Sequence, residues 1–287
     1  MKIKYLFLKI LRVIPDDLFN KVLFLFKVRY YPNFKNPVSL NEKINFIKLH
    51  SKNKLRKFVT DRLKVREYVK QKSDQCSLID ILWSGFSISR DIYDQMPNEF
   101  VIKANHGSGM VLLVDKNKHT FNEIFTITEK WKETDYALLT RQWVYNKLEK
   151  KLIIEEFLYF DSGVPPDYKF FCINGKVELV QVDLNRFQEH KRNLYDKNFV
   201  RIDAALMYDQ GHNIPKPKLF DDAVSIAEKL SQDFDFIRVD LYILPNAVYF
   251  GELTNTPGNG FEPFYPKEFD FEIGKKMKFI KEFSESV

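Results

Sequence analysis

Apolar and polar positions divide this chain into a helical opening and a strand-rich remainder. In Met1 to Tyr31, Leu6, Ile10, Val13 and Ile14 recur at helical spacing, while Lys9, Arg12, Asp16, Asp17, Lys21 and Lys27 interrupt every apolar run. A spanning helix needs about 20 mainly apolar residues, which this stretch does not supply. No small-residue cleavage site follows, which argues against a secretory signal. Two readings stay open: an amphipathic helix packed on the protein, or a basic helix lying on a membrane surface. Ser39-Leu40-Asn41-Glu42 has the form of a capping box and predicts a helix to about His50. Asp61 can cap a second helix carrying Leu63, Val65, Tyr68 and Val69.

From Phe100 the period changes to two. Phe100 to Ala104 and Val111 to Val114 read as strands around Asn105-His106-Gly107-Ser108-Gly109, a glycine-bearing turn. Lys130 to Lys150 reads as helix and Leu152 to Tyr159 as strand, ending before Asp161-Ser162-Gly163. Tyr168 to Ile173 and Lys176 to Leu184 flank Asn174-Gly175, the residue pair that suits a type I′ hairpin turn. Phe220 to Ser231 is helical, with Ala223, Ile226, Ala227 and Leu230 on one face. Phe236 to Leu244 and Ala247 to Thr254 form a last hairpin across Pro245-Asn246. Helices followed by hairpins alternating with helices predict an α+β architecture with mainly antiparallel sheets.

Composition narrows the function class only slightly. The chain has 287 residues, 45% hydrophobic and 29% charged, with 27 Phe, enough for a sizeable core. A net charge of +6 favours anionic partners without choosing among nucleotides, nucleic acid, acidic sugars and membrane faces. Cys76 and Cys172 lie far apart and outside any C-x-x-C, which argues against a disulfide framework or a zinc site.

The chemistry concentrates in two places. In the last hairpin, Val239, Leu241 and Ile243 take one face and Arg238, Asp240 and Tyr242 the other. On the return strand Val248, Phe250, Glu252 and Thr254 are expected to share a face. With the loop centred on Asn246, Asp240 lies opposite Glu252, close enough to repel unless something neutralises the pair. A magnesium ion would do so, as would Arg238 on a solvated strand face. The second place is Lys103, which closes a strand before a turn with two glycines, where backbone amides and an ammonium could meet phosphate. A surface lysine beside an ordinary turn fits the same residues, and no Walker A loop is present. His106 reads as a polar turn residue.

Several segments together resemble the ATP-grasp enzymes of the TupA-like, teichuronopeptide-biosynthesis group. They are Asn36-Pro37 through Ser39-Leu40-Asn41-Glu42-Lys43-Ile44, Asp61 through Val69, and Phe100-Val101-Ile102-Lys103-Ala104-Asn105-His106-Gly107-Ser108-Gly109. Ile154-Glu155-Glu156, Asp167-Tyr168-Lys169-Phe170, Asn174-Gly175, Ile237 to Tyr242, Gly251-Glu252-Leu253-Thr254 and Pro257-Gly258 continue in the same order. The resemblance implies an ATP-grasp fold whose sheets sandwich the nucleotide. It divides the chain into a mostly helical region, 1–95, a small lysine-and-glycine-flap subdomain, 96–155, and a large metal and substrate subdomain, 156–287. Lys103 would contact ATP phosphates beneath a flap including His106, Gly107, Ser108 and Gly109. Glu155 or Glu156 would meet the adenine amine or ribose, and Lys169 would be a second phosphate-facing cation. Asp240, Glu252, Thr254 and Asn255 would make up the Mg²⁺ site. Arg238, Arg186 and Arg192 would face the acyl phosphate or an acidic substrate. Thr254 stands where related ligases often carry Asn, and Asp61-Arg62 where they often carry Asp-Lys.

The implied reaction activates a carboxylate with ATP and passes it to an amine. An acidic sugar of a surface polysaccharide would be the donor and an amino acid the amine, in the cytoplasm or at the inner membrane surface. The partners are then a nucleotide and small molecules, with no nucleic acid and with the membrane reached, if at all, through the N-terminal helix. A surface-polysaccharide glycosyltransferase is the alternative enzyme, although Asp240-Leu241-Tyr242 lacks the second Asp of an Asp-x-Asp. A non-catalytic basic binding protein ranks last, because 39 acids balance the Lys and Arg.

Overall fold

The computed structural model describes residues 13–160, 166–184 and 189–280. Leu6, Ile10 and the Asp161-Ser162-Gly163 turn lie outside them. The first helix given whole by the described residues, α1 (Asp16–Val28), starts directly after Pro15. Val13 is exposed and Ile14 half-buried, and the rest of that helical spacing lies outside the described residues. Next come α2 (Leu40–His50), α3 (Lys54–Thr60) and α4 (Val65–Lys72). The Ser39–Glu42 capping box forms as expected, with both reciprocal bonds made. Asp61 caps the turn leading into α4 and not the helix itself: its Oδ1 accepts from the amides of Leu63 and Lys64.

Two sheets carry the architecture. The larger contains β1 (Cys76–Leu78), β6 (Asp167–Ile173), β7 (Lys176–Leu184), β8 (Lys191–Tyr195), β10 (Phe236–Ile243) and β11 (Val248–Thr254), in the order β1-β11-β10-β6-β7-β8. Only the β1–β11 pair is parallel. The smaller contains β2 (Ile81–Gly85), β3 (Glu99–Ala104), β4 (Val111–Asp115) and β5 (Leu152–Glu156), in the order β2-β5-β3-β4, all antiparallel. A two-stranded ribbon, β9 (Ala205–Leu206) with β12 (Phe264–Tyr265), stands apart. Helices α5 (Arg90–Gln95), α6 (Phe121–Lys132), α7 (Tyr136–Thr140), α8 (Phe220–Ser231) and α9 (Glu268–Lys276), with short 3-10 turns at Trp143–Tyr145 and Pro257–Gly260, complete the described elements. The expected α+β class with antiparallel sheets holds.

The long helix expected from Lys130 to Lys150 does not form. Asp135 starts a new helix by accepting from the Leu138 amide, and Arg141 ends it in the left-handed region. The strand from Leu152 stops at Glu156, three residues short of Tyr159.

Each face of the large sheet has its own cover. Phe170, Val180, Val182, Val239 and Leu241 pack beneath α8, through Ala223, Ile226, Ala227 and Leu230, and against Val65, Tyr68 and Val69 of α4. The opposite face is apolar only at one end, where Phe171, Ile173, Leu179 and Phe236 meet Leu40, Ile44 and Ile47 of α2 and Ile273 of α9. Its other end is polar and faces the small sheet. At about 1.5–3 kcal/mol for each large side chain buried, these layers hold the frame around that polar end.

Arg56 of α3 is almost wholly buried under the sheet. Its Nη1 donates to Asn255 Oδ1 at 2.8 Å and its Nη2 to the Phe236 carbonyl at 3.1 Å. It thereby joins the first residue past β11 to the first of β10.

Both cysteines are buried in the large core and free. Burial pushes each thiol up to about 12, where little nucleophilic thiolate exists. Neither is expected to react with a thiol reagent in the folded protein, and both should react once it is unfolded. Rapid native labelling of either would show that the core opens there.

Candidate functional site

The polar end of the large sheet is built by a registration device in the last hairpin. Near the turn the strands pair as Ile243 with Val248, Tyr242 with Tyr249 and Leu241 with Phe250. Continued unchanged, this register would set Asp240 opposite Gly251. A bulge after Phe250 inserts Gly251 as an extra residue, and Asp240 faces Glu252 instead. The pairing is the one expected from sequence, but the shared face is not. Val248 and Phe250 go to the core with Leu253, while Glu252 and Thr254 turn to the polar side with Asp240. Gly251 is required by space: a Cβ there would lie 2.9 Å from the Asp240 carbonyl oxygen.

A row of side chains then crosses the sheet. Cα pairing runs from Glu252 to Asp240, Lys169 and Gln181 across β11, β10, β6 and β7. Arg238 binds Asp240 as a fork, with Nε to Oδ1 at 2.7 Å and Nη2 to Oδ2 at 2.6 Å. The same Nη2 donates to Thr254 Oγ1 at 3.2 Å, and the Thr254 hydroxyl donates to Glu252 Oε1 at 2.8 Å. Lys169 pairs with Asp167 and lies 3.7 Å from Asp183. Arg192 donates from Nε to Asp183 at 2.7 Å and reaches Glu262 at 3.3 Å.

Burial pushes the Asp240 carboxyl up, and Arg238 and Lys169 offset only part of that rise. Glu252 goes the other way. Burial would raise it, but Arg62, Arg238 and the Thr254 hydroxyl outweigh burial and lower it to about 2. The two acids thus differ because two guanidinium groups converge on one of them.

The small sheet supplies the opposing wall. Lys103 pairs with Glu155 across β3 and β5, and both are buried, whereas Glu156 is exposed at the strand end. Gly107 is buried and Gly109 sits at φ +75° with open space around it. Ser108 is exposed at the tip of the turn. His106 is a loop anchor: its Nε2 donates to the Trp131 carbonyl at 2.8 Å, and burial lowers its pKa. One cavity between the sheets is lined by Arg62, Tyr145, Glu155, Gly251, Glu252 and Thr254.

Sequence reasoning missed Arg62 as a site residue. Its Nε donates to the Ala104 carbonyl at 3.2 Å and its Nη1 to Glu252 Oε2 at 3.3 Å, so it bridges the two walls. The acids Asp167 and Asp183 were missed as well; strand alternation with Lys169 was the available signal. Asn255 is a correction. It is buried, faces away from the acids, and spends its amide on Arg56 and Thr60. Thr254 is the residue that stays beside Glu252. Arg186 lies outside the described residues.

The motifs and their order are those of one family. A family model described as TupA-like ATPgrasp matches residues 42–278. The chain belongs to this family. No curated protein matches it. Among solved structures it is similar to the D-alanine–D-alanine ligase of Bacillus anthracis complexed with ATP, at 12% identity and a TM-score of 0.41, covering 69% of this chain and 54% of that one. The Helicobacter pylori D-alanine–D-alanine ligase gives 16% identity and 0.44, covering 82% and 66%. The N5-carboxyaminoimidazole synthase of Aspergillus clavatus, in complex with ADP and 5-aminoimidazole ribonucleotide, gives 11% and 0.39, covering 69% and 44%. This TupA-like ATP-grasp chain thus spans little more than half the length of the first of these.

The oxygen donors suit magnesium. Two carboxylates and a hydroxyl share one face, and Mg²⁺ usually takes one or two carboxylates plus substrate phosphates. Among the described residues no group of three or more His, Cys, Asp and Glu forms an all-protein cage. The acids Asp167, Asp183, Asp240 and Glu252 already have Lys169, Arg192, Arg238 and Arg62 beside them. A polyanionic ligand would find little unpaired positive charge on this wall and would need a cation brought with it.

Two outcomes are expected. Gly251→Ala should cost about 1–3 kcal/mol by crowding a tight contact, and should also abolish stabilisation by Mg-ATP in a thermal melt. A melt shift by Mg-ATP equal to wild type would show that the bulge does not set the site. Glu252 has a folded-state value lowered from 4.5 to about 2, so it stabilises the fold above its unfolded value. That contribution fades as pH falls through the interval between the two. Denaturant titrations should therefore find the stability of Glu252→Gln flatter than wild type across that interval; parallel curves would deny the arginine pairing its role.

Proposed function

We propose that this chain is an ATP-dependent carboxylate–amine ligase. The observation that carries the reading is the Asp240–Glu252 pair, set side by side by the Gly251 bulge and facing the Lys103 wall. In this reading a substrate carboxylate attacks the γ-phosphorus of ATP, ADP leaves, and an amine displaces phosphate from the acyl phosphate to give an amide. Lys103, beneath the His106–Gly109 turn, holds phosphate oxygens. Glu155 positions the nucleoside, with Glu156 free to solvent at the rim. Asp240, Glu252 and Thr254 would hold Mg²⁺, which when bound neutralises charge on the phosphates. Arg238 orients Asp240 and, with Lys169, lies where negative charge builds as the γ-phosphoryl group transfers. Residues 96–155 would act as the flap-bearing wall and 156–287 as the metal-bearing wall, while β2 and β1 from the region 1–95 add a strand to the small and the large sheet.

The donor we favour is an acidic sugar of a surface polysaccharide, with an amino acid as amine and the reaction on the cytoplasmic side where ATP is found. Arg192 is the described arginine nearest the far end of the polar row, and it is tied to Asp183 and Glu262. It can serve an acidic substrate by exchanging one of those partners. Nothing in the fold or the family match favours the glycosyltransferase alternative, since the acids sit inside paired strands.

Mg-ATP should raise the melting temperature of the wild type, and Asp240→Asn or Glu252→Gln should remove the rise. ADP release in a screen of acidic sugars paired with amino acids should fall by at least about 100-fold in Lys103→Ala, as for loss of one preorganised charge partner. Stabilisation by a nucleotide sugar and not by ATP would overturn the reading.

A further inference from the structure

Helix α1 is apolar on two opposite faces, and among the described residues only one is covered. Asn20, Phe24 and Val28 point inward. The Phe24 ring packs edge-on against Tyr30, Phe34 and Phe261 at centroid distances of 5.0, 5.5 and 6.4 Å. Leu18, Val22, Leu25 and Phe26 point outward with 52, 45, 46 and 76% of their surface exposed, and Tyr31 beyond the helix is 75% exposed. Spacings of four, three and one place the four on a single stripe. A contiguous apolar stripe on a surface marks a contact.

Charge identifies the contact. Residues 1–35 contain eight Lys and Arg against two Asp, whereas the whole chain has 45 basic and 39 acidic residues. The other 252 residues therefore carry 37 of each sign, and the entire excess of +6 belongs to this segment. Lys27, Arg29 and Lys35 are exposed around the stripe. A polyanion alone would satisfy these cations and leave the stripe wet. An apolar protein groove would do the reverse. An anionic bilayer surface offers acyl chains and negative headgroups at adjacent depths.

We propose that α1 docks the protein on an anionic lipid surface, with Leu18, Val22, Leu25 and Phe26 at the acyl boundary and Lys27, Arg29 and Lys35 among the headgroups. No helix among the described residues is long and apolar enough to cross a membrane, and this contact needs none. The buried face of α1 rests on Phe261, which directly follows the Pro257–Gly260 turn after β11. Arg141 fixes the start of the helix, 3.0 Å from Asp16 and 3.3 Å from the Ile14 carbonyl. Docking would therefore hold the acid-bearing hairpin near the lipid surface. The proposal is independent of the ligase reading.

The test is cosedimentation of the full chain with phosphatidylcholine vesicles, with and without phosphatidylglycerol, at low and high salt. Binding is expected only with phosphatidylglycerol and should weaken with salt. Leu25→Ser with Phe26→Ser should reduce it at least about 10-fold with an unchanged melting temperature, since both side chains are exposed. Lys27→Glu with Arg29→Glu should remove the preference for phosphatidylglycerol. Absence of binding by the wild type, or undiminished binding by the serine variant, would overturn the proposal. So would self-association of the wild type that the serine variant abolishes, because the stripe would then belong to a second copy. Stabilisation of both variants by Mg-ATP, measured in parallel, reports on the nucleotide site separately.

Discussion

Two acidic side chains cannot share one face of a sheet at neighbouring positions without opposite charge between them, and the polar end of this molecule is organised around that constraint. Arg238 spans Asp240 and Thr254, Arg62 reaches Glu252 from the turn between α3 and α4, and Lys169 stands next in the row. In the resting protein the arginines supply the neutralisation. Their presence lets the core close behind the acids without forcing both to protonate.

Two hairpins of the large sheet carry one register defect each. In the β6–β7 hairpin, Cys172 pairs with Val177 but Phe171 pairs with Leu179, so Glu178 is passed over and Lys169 meets Gln181. In the β10–β11 hairpin Gly251 plays that part. Each tight turn sets a register suited to the core near it, and each bulge resets the register for the polar end. Core and site are thus solved separately along the same strands.

Much of this was readable beforehand, and the limits have physical causes. Asn174-Gly175 announced its turn because only such residues accept positive φ at both positions, and both do so here. The alternation through Val239, Asp240 and Leu241 gave the face of Asp240 correctly. The return strand could not be read the same way. Alternation assumes an unbroken ladder, and the bulge moved Val248 and Phe250 to the opposite side from Glu252. That Asp240 still met Glu252 came from two compensating shifts, a turn displaced by half a step and an inserted residue. Arg62 was invisible for another reason: its partners are 42 and 190 residues away, beyond any local pattern. Asn255 was placed by its neighbours in sequence, whereas the buried Arg56 guanidinium decides where it points.

The Arg56 contact has a consequence for ligand affinity. The acid-bearing ribbon is pinned at its closed end by the bond from the Leu244 amide to the Ala247 carbonyl. At its open end it is pinned by one guanidinium holding Asn255 and Phe236 together. A ribbon fixed at both ends has little freedom left to lose when something binds midway between. The entropy of arranging the carboxylates is spent during folding, and a ligand entering the cleft meets a receptor already in shape.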